Sequence, residues 1–305
     1  MPARDVERYI DAAVASVLSQ SHNAVELLVV DDSSEDATAD RIRWWAARDR
    51  RVRPIFNRTA EGPNVCRNVG IEAASGRYLA FVDADDILLD GAYRDLVAAL
   101  DSSASDFVVG CYDRLTGRNR TPAAPWIGAA HSTTLRGVTI AEHPSIMVNV
   151  VQWSKLYRRA FWQDAQLTFP ARGFYQDQIV AAEAYVAATA IDVIERPVVS
   201  WRVRDDGTSM TQQFLTATNI ADRFRTLAAS VEIYRAHEAR LGAIRLQQAL
   251  SNDVPIVAES ASHLSDEAAR SFRSGLRVLA SLSADPQRLP EAPSSWRTRY
   301  LNALA

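Results

Sequence analysis

In the segment VERYIDAAVASVLSQ, apolar side chains recur every three to four residues. Val6, Tyr9, Ile10, Ala13, Val14, Val17 and Leu18 share one stripe, which predicts a helix. After SHN the spacing changes. Leu27 to Val30 is a short, continuous apolar run rich in β-branched residues, as expected of a strand covered on both faces. DDSSEDATADRIRWWAARD then supplies Ser and Asp caps and a second amphipathic helix. VRPIF reads as another strand, and PNVCRNVGIEAASG as a helix with Pro63 near its start and Gly76 beyond its end. YLAFVDADD is a third buried strand, DGAYRDLVAALDSS a third helix and DFVVGCYD a fourth strand.

Strands that are apolar throughout and alternate with helices predict an α/β domain. Its sheet is mainly parallel, with helices on both faces. Ligands of such sheets bind at the carboxyl ends of the strands, beside a switch in strand order. VVDD and FVDADD both place carboxylates at such ends, so both are expected to face one crevice.

From about Thr116 to His143 the composition turns to Gly, Pro, Arg and Thr, a loop-rich insert. VVQWSKLYRRAFW and FYQDQIVAAEAYVAA read as a strand or turn followed by amphipathic helix, and IDVIERPVVSWRVRDDGTSM as a strand pair running into a polar loop. The pattern is helical from Phe214 onward. The domain boundary is therefore placed there, with a 1–213 α/β domain and a 214–305 helical region that binds an acceptor or makes an oligomer.

Composition narrows the function classes. The 305 residues are 48% hydrophobic and 23% charged with a formal net charge of −3, so no global field favours nucleic acid or an anionic membrane. The only two cysteines, Cys66 and Cys111, form no metal-like or redox-like pair, which fits a reducing cytosol. The N-terminus is charged too evenly for a signal peptide, and no apolar run approaches the ~18 residues of a membrane helix. The expected location is the cytoplasm, with work at the inner face of the cell membrane left open.

An apolar strand ending in Asp83, Asp85 and Asp86 needs an explanation, because adjacent carboxylates repel in a low-dielectric setting. A solvated surface turn is one reading. A calcium loop starting at Asp83 fails, since its sixth and twelfth places hold Leu88 and Arg94 instead of Gly and Glu. A phosphoester hydrolase of the haloacid dehalogenase type also uses Asp-x-Asp after a strand, but on the chain's first strand. Here two strand–helix units precede the motif. A hard divalent cation bridging the acids is the remaining reading, and Mg²⁺ or Mn²⁺ suits such oxygens.

Taken together, VVDDSSEDAT, VCRNVGIEAASG, the DxD of YLAFVDADD, WSKLYRRAFW and YQDQ resemble the family-2 glycosyltransferases with the GT-A fold, of the bacterial polysaccharide and teichoic-acid type. The pieces come in the family's order over roughly the first two thirds of the chain. The resemblance implies an inverting, metal-dependent transfer of a sugar from a nucleotide-diphosphate donor, UDP favoured, to an acceptor hydroxyl. It implies that Asp31 and Asp32 touch the base and ribose, that Arg67 points toward the donor, that Asp83 binds the ribose side and that Asp85, with Asp83, holds Mn²⁺ or Mg²⁺ on the diphosphate. Lys155 resembles a position near the active site. Arg202 or Arg204, with Ser209, resembles a phosphate clamp before a mobile loop. The family's base comes from an acidic pair at a helix start; here that pair reads Gln176-Asp177, which leaves Asp177 as the candidate.

The resemblance also implies a glycan, polyol or lipid-linked acceptor and leaves homo-oligomerisation and peripheral membrane contact open. The family's usual opening strand is missing, because MPARDVERYI aligns only with its end. An upstream true start and a truncated, inactive nucleotide-binding module are both expectations for that departure. The hydrolase remains the enzymatic alternative.

Overall fold

The computed structural model describes residues 1–204 and 214–283. The chain forms two compact units. The first comprises residues 1–172 and 187–205; the second comprises 173–186 together with the residues from 206 onward.

In the first unit the elements run β1 (Pro2–Ala3), α1 (Ile10–Leu18), β2 (Leu27–Asp31), α2 (Thr38–Ala46), β3 (Val52–Phe56) and α3 (Pro63–Ala73). Then follow β4 (Tyr78–Ala80), β5 (Ile87–Leu88), α4 (Ala92–Asp101), β6 (Phe107–Thr116), β7 (Asn119–Pro122), α5 (Pro125–Ala130) and β8 (Leu135–Val138). β9 (Lys155–Arg158) and α6 (Arg159–Asp164) come next. The chain then crosses α7 (Asp177–Ala187) before β10 (Ile191–Val203) returns.

β1, β2 and β3 form an all-parallel sheet. A second sheet has the order β4-β9-β6-β10-β5, with β7 on β6 and β8 on β10. Only β6 and β10 are parallel there, so this sheet is mixed. Every residue of β2 is buried, as its continuous apolar run requires. Ile10, Val14 and Val17 of α1 join Val29, Leu88, Leu96, Val108, Leu156 and Val199 in one core.

Four details depart from the sequence pattern. α1 starts at Ile10, not Val6; residues 7–9 form a turn in which the Val6 carbonyl accepts from the Tyr9 amide at 2.9 Å and the Ile10 amide at 3.0 Å, while the Val6 amide donates to the Thr38 hydroxyl at 2.8 Å. β4 stops at Ala80, and residues 81–86 leave the ladder for a turn closed by the Asp86 N–H on the Asp83 carbonyl. The strand pair expected from Ile191 is one long strand, β10, whose register against β6 shifts on both sides of Pro197, and the polar loop expected after it falls largely outside the described residues. Proline has no N–H for the ladder, and a bulge accommodates it. The insert of 116–143 is less irregular than its composition suggests, holding β7, α5 and β8.

Of the expected missing first strand, β1 supplies two residues, paired Pro2 with Val30 and Ala3 with Asp31. Where this ladder stops, a cavity of about 460 Å³ lies between β2 and β4, lined by Met1, Leu28, Gly70, Tyr78 and Ala80 among others.

The second unit contains α7, α8 (Ala217–His237), α9 (Ala239–Gln248), α10 (Val254–Ala258) and α11 (Asp266–Ser281), with a π-helical turn at Ala249–Asp253. Thr216 and Ser265 cap α8 and α11 through their hydroxyls. Ile220, Phe224, Leu227, Val231, Leu250, Leu276 and Leu279 build its core. The segment 173–186 therefore belongs with the helical residues although it precedes the boundary placed at 214. Hydrogen bonds tie it there: the Phe174 amide, the Tyr175 hydroxyl and the Gln178 side chain meet Asp222, Asn219 and Arg223 of α8 and Arg245 of α9. Among the described residues no helix is long and apolar enough to cross a membrane.

Candidate functional site

The carboxyl end of β2 carries Asp31 and Asp32, both buried. Asp31 accepts from the Ser34 hydroxyl at 2.6 Å and shapes the turn into α2. Asp32 organises a second loop. Its Oδ1 accepts from Asn57 Nδ2 at 3.0 Å and from the Glu61 amide at 2.9 Å, and its Oδ2 from the Gly62 amide at 2.8 Å. Burial alone would raise the Asp32 carboxyl, but these donors together bring it below the ordinary aspartate range. Asp32 thus ties the end of β2 to the loop that opens α3.

From α3, Arg67 reaches the acidic turn. Its Nη2 donates to Asp83 Oδ1 at 2.8 Å and its Nη1 to Asn64 Oδ1 at 3.2 Å, while the guanidinium lies 5.3 Å from the Phe169 ring. The Arg67 side chain is only 9% exposed while that of Asp83 is 29% exposed, so the guanidinium is shielded and the carboxylate stays partly accessible.

The other two acids are bound to the end of β10. Asp85 Oδ2 accepts from Arg204 Nε at 2.7 Å, and the Asp85 carbonyl from Arg202 Nε at 2.6 Å. Asp86 Oδ1 accepts from the Arg202 amide at 2.7 Å, and among the described residues its buried Oδ2 has no hydrogen-bond partner. Both guanidiniums lie 5.4 Å from the ring of Tyr9. The alternation of Arg202 and Arg204 along one strand, legible in WRVR, places both beside the same carboxylates. Burial raises the Asp85 carboxyl, with Arg204 opposing and Asp83 adding to the rise. Burial again, then the charges of Asp85 and Asp83, push Asp86 well above the usual range.

Asp31, Asp32, Asp83, Asp85, Arg202 and Arg204 are thus placed at strand ends and loops of the first unit and Arg67 on α3, and Arg67, Asp83, Asp85, Asp86, Arg202 and Arg204 form one charged cluster. Lys155 behaves differently. It is 1% exposed, and its ammonium donates to the Asn149 carbonyl at 2.9 Å and to the Val151 carbonyl. That burial gives it a structural task in the turn before β9. Ser209 lies outside the described residues. Asp177, half-buried, opens α7 in the second unit.

The oxygens of Asp83 and Asp85 suit a hard cation that takes one or two carboxylates and completes its shell with phosphates. An orphaned buried oxygen on Asp86 beside them is the kind of group a positive charge would satisfy. Among the described residues no cluster of three or more His, Cys, Asp or Glu side chains forms a self-sufficient metal cage. The oxygens of Asp83 and Asp85 therefore fit a cation whose remaining ligands come from phosphate. In the arrangement described, Arg67 and Arg204 carry the positive charge.

Tyr9, Asn57, Asn64 and Phe169 were not singled out by sequence. Tyr9 reads there as part of a helical stripe, and nothing in its spacing separates it from the core positions of α1.

Residues 1–163 match the family model described as "Glycosyl transferase family 2". A Bacillus subtilis protein named as a glycosyltransferase, EpsH, is 26% identical over 215 residues, covering 65% of this chain and 58% of its own length. The Escherichia coli protein named UDP-Glc:alpha-D-GlcNAc-diphosphoundecaprenol beta-1,3-glucosyltransferase WfgD is 34% identical over 113 residues, 37% of this chain and 44% of its own. The chain thus spans less than two thirds of these relatives. Among solved structures, that of S. aureus TarS 1-349 in complex with UDP-GlcNAc superposes with a TM-score of 0.80 at 22% identity, over 99% of this chain and 85% of that one, which establishes the shared fold.

Proposed function

Because the chain belongs to glycosyl transferase family 2, we propose that it transfers a sugar from a nucleotide-diphosphate donor, with UDP as the nucleotide, to an acceptor hydroxyl with inversion. The product class is a cell-envelope polysaccharide or glycoconjugate, and the acceptor a glycan, a polyol or a lipid-linked sugar. The observation that carries this reading is the turn Asp83–Asp86, held between Arg67 on one side and Arg202 and Arg204 on the other. Uncompensated carboxylates would repel a diphosphate, whereas this cluster brings three guanidiniums to the same place. The UDP-GlcNAc held by the TarS neighbour and the UDP-Glc in the WfgD name support a UDP-sugar as donor.

In this reading Asp31 and Asp32 frame the base and ribose, Asp83 and Arg67 the ribose side, and Arg202, Arg204 and Ser209 the phosphates. Arginine suits the last task because its fork donates two parallel bonds to phosphate oxygens. Asp85, with Asp83, would hold Mn²⁺ or Mg²⁺, which when bound supplies Lewis-acid stabilisation of the departing diphosphate. Inversion needs a base for the acceptor hydroxyl, and Asp177 is assigned that proton. Lys155, buried against its own turn, is left to structure.

Calorimetric titration with UDP, with and without Mn²⁺, tests the donor site. Metal-enhanced binding is expected. Absence of UDP binding under both conditions overturns the assignment of the carboxylate turn.

A further inference from the structure

Within the second unit, the four residues that lead into Asp177 have an unusual backbone. Gly173 has φ +96° and Tyr175 has φ +59°, so two of three consecutive positions lie in the left-handed region. For glycine this is cheap, and at Gly173 it is required. A Cβ there would come within 2.7 Å of Arg225 Nη2 and Gln176 Nε2 and within 3.0 Å of Asp222 Oδ2. For tyrosine the conformation is strained and persists only where surrounding contacts over-determine it.

Those contacts come from α8. The Phe174 amide donates to Asp222 Oδ2 at 2.9 Å. The Tyr175 hydroxyl donates to Asn219 Oδ1 at 2.5 Å and accepts from Arg223 Nη2 at 2.7 Å. The same guanidinium lies 4.2 Å from the Tyr175 ring centroid. Asn219 is fully buried and Arg223 is 7% exposed, so neither is a solvated surface partner. On the far side of Asp177, Gln178 is held as well. Its Oε1 accepts from Arg245 Nη2 at 2.6 Å, and Arg245, 1% exposed, is itself fixed by Ser230 Oγ at 3.2 Å and Asp253 Oδ2 at 3.3 Å. The π-helical turn at Ala249–Asp253 carries Asp253. Finally the Tyr175 carbonyl accepts from the Gln178 amide at 3.0 Å, closing the first turn of α7 around Asp177.

Resting on the reading of Asp177 as the base, we propose that Tyr175, Asn219, Arg223 and Arg245 are positioning residues that hold the first turn of α7 in one conformation and so aim the Asp177 carboxylate. The residues on both sides of Asp177 are anchored to different helices of the same unit, and the strain at Tyr175 is maintained by buried, charge-assisted hydrogen bonds. A carboxylate that must take a proton along a defined line benefits from such a frame, since a misplacement of ~1 Å can cost about 100-fold in rate.

The test uses the full chain with Tyr175→Phe, Arg223→Lys and Asp177→Asn, UDP-GlcNAc as donor probe and UDP release as readout. Leu279→Ala, which hollows the helical core on α11 toward the far end of α8, where Arg235 meets the Leu282 carbonyl, is the control for general destabilisation. Tyr175→Phe and Arg223→Lys are expected to lower kcat about 10-fold or more with KM for UDP-GlcNAc unchanged. Hydrogen exchange of the Gln178, Ile179 and Val180 amides is expected to speed up about 10-fold in both. Leu279→Ala should lower Tm without changing kcat. Unchanged exchange in Tyr175→Phe and Arg223→Lys overturns the clamp whether or not UDP-GlcNAc turns over. Faster exchange with unchanged kcat overturns its role in catalysis. Normal turnover by Asp177→Asn overturns the base reading instead, and so separates the two failures.

Discussion

Asp86 is 1% exposed, satisfies one oxygen on the Arg202 amide and leaves the other without a described partner. Its carboxyl is raised by burial and by two neighbouring acids, so in the absence of a cation the ionised form destabilises the fold at neutral pH. Asp86→Asn keeps the acceptor for Arg202 and removes the charge. It is expected to raise Tm by about 2–4 °C in metal-free protein while weakening Mn²⁺-dependent UDP binding, both readable in parallel melts and titrations. His131 makes the opposite kind of prediction. Its Nδ1 meets the Ile194 carbonyl at 2.9 Å and its Nε2 the Asn149 side-chain nitrogen at 2.9 Å, which assigns the neutral ring with the proton on Nδ1. Burial first, and the Lys155 and His143 charges after it, lower its pKa to about 4 against the Ile194 hydrogen bond. Because the folded value lies below the unfolded 6.5, the unfolded state binds more protons as the pH falls through that window. Stability should therefore drop from pH 6.5 toward pH 4 by up to roughly 3 kcal/mol. Urea unfolding across pH 4–7 should show this slope in the wild type and a shallower one in His131→Gln.

At the scale of elements, the apolar runs of β2 and β6 and the stripe of α1 were legible because burial imposes a period on sequence. The ends of elements were not. VRPIF and YLAFV read alike as strands, yet the latter pairs only through Ala80, because the Asp83–Asp86 turn is bound to a strand more than 100 residues away. The same long-range contact decided β10. Pro197 marks an interruption in sequence, but only pairing with β6 shows that the strand continues through a bulge. Gly110 lies opposite that bulge, where a Cβ would meet the Val198 side chain at 2.6–2.7 Å. Gly110→Ala should destabilise the sheet by about 1–3 kcal/mol through overpacking. Denaturant unfolding checks this, and a loss below a few tenths of a kcal/mol would mean that Val198 can move aside.

At the scale of the whole molecule, the proposed tasks divide between the two units. The donor-binding acids and arginines belong to the first and Asp177 to the second. Asp85→Ala is therefore expected to abolish Mn²⁺-enhanced UDP binding. Asp177→Asn should keep the wild-type Kd for UDP within about 2-fold and lose transfer by about 100-fold or more, as removal of a general base requires. Equal loss of UDP affinity in both variants would contradict that division. By itself the sequence determined the α/β class, the helical character of the later residues, the carboxylate turn and the arginine alternation that accompanies it. These are local patterns, set by period and by residue type. Tertiary structure alone decided which acid pairs with which arginine, that Lys155 is consumed by its own turn, and that the residues around Asp177 are clamped by α8 and α9. Such choices depend on groups from a few to more than 100 positions apart meeting in a low-dielectric interior, where an unpaired charge is costly, and no spacing along the chain records which partner arrives.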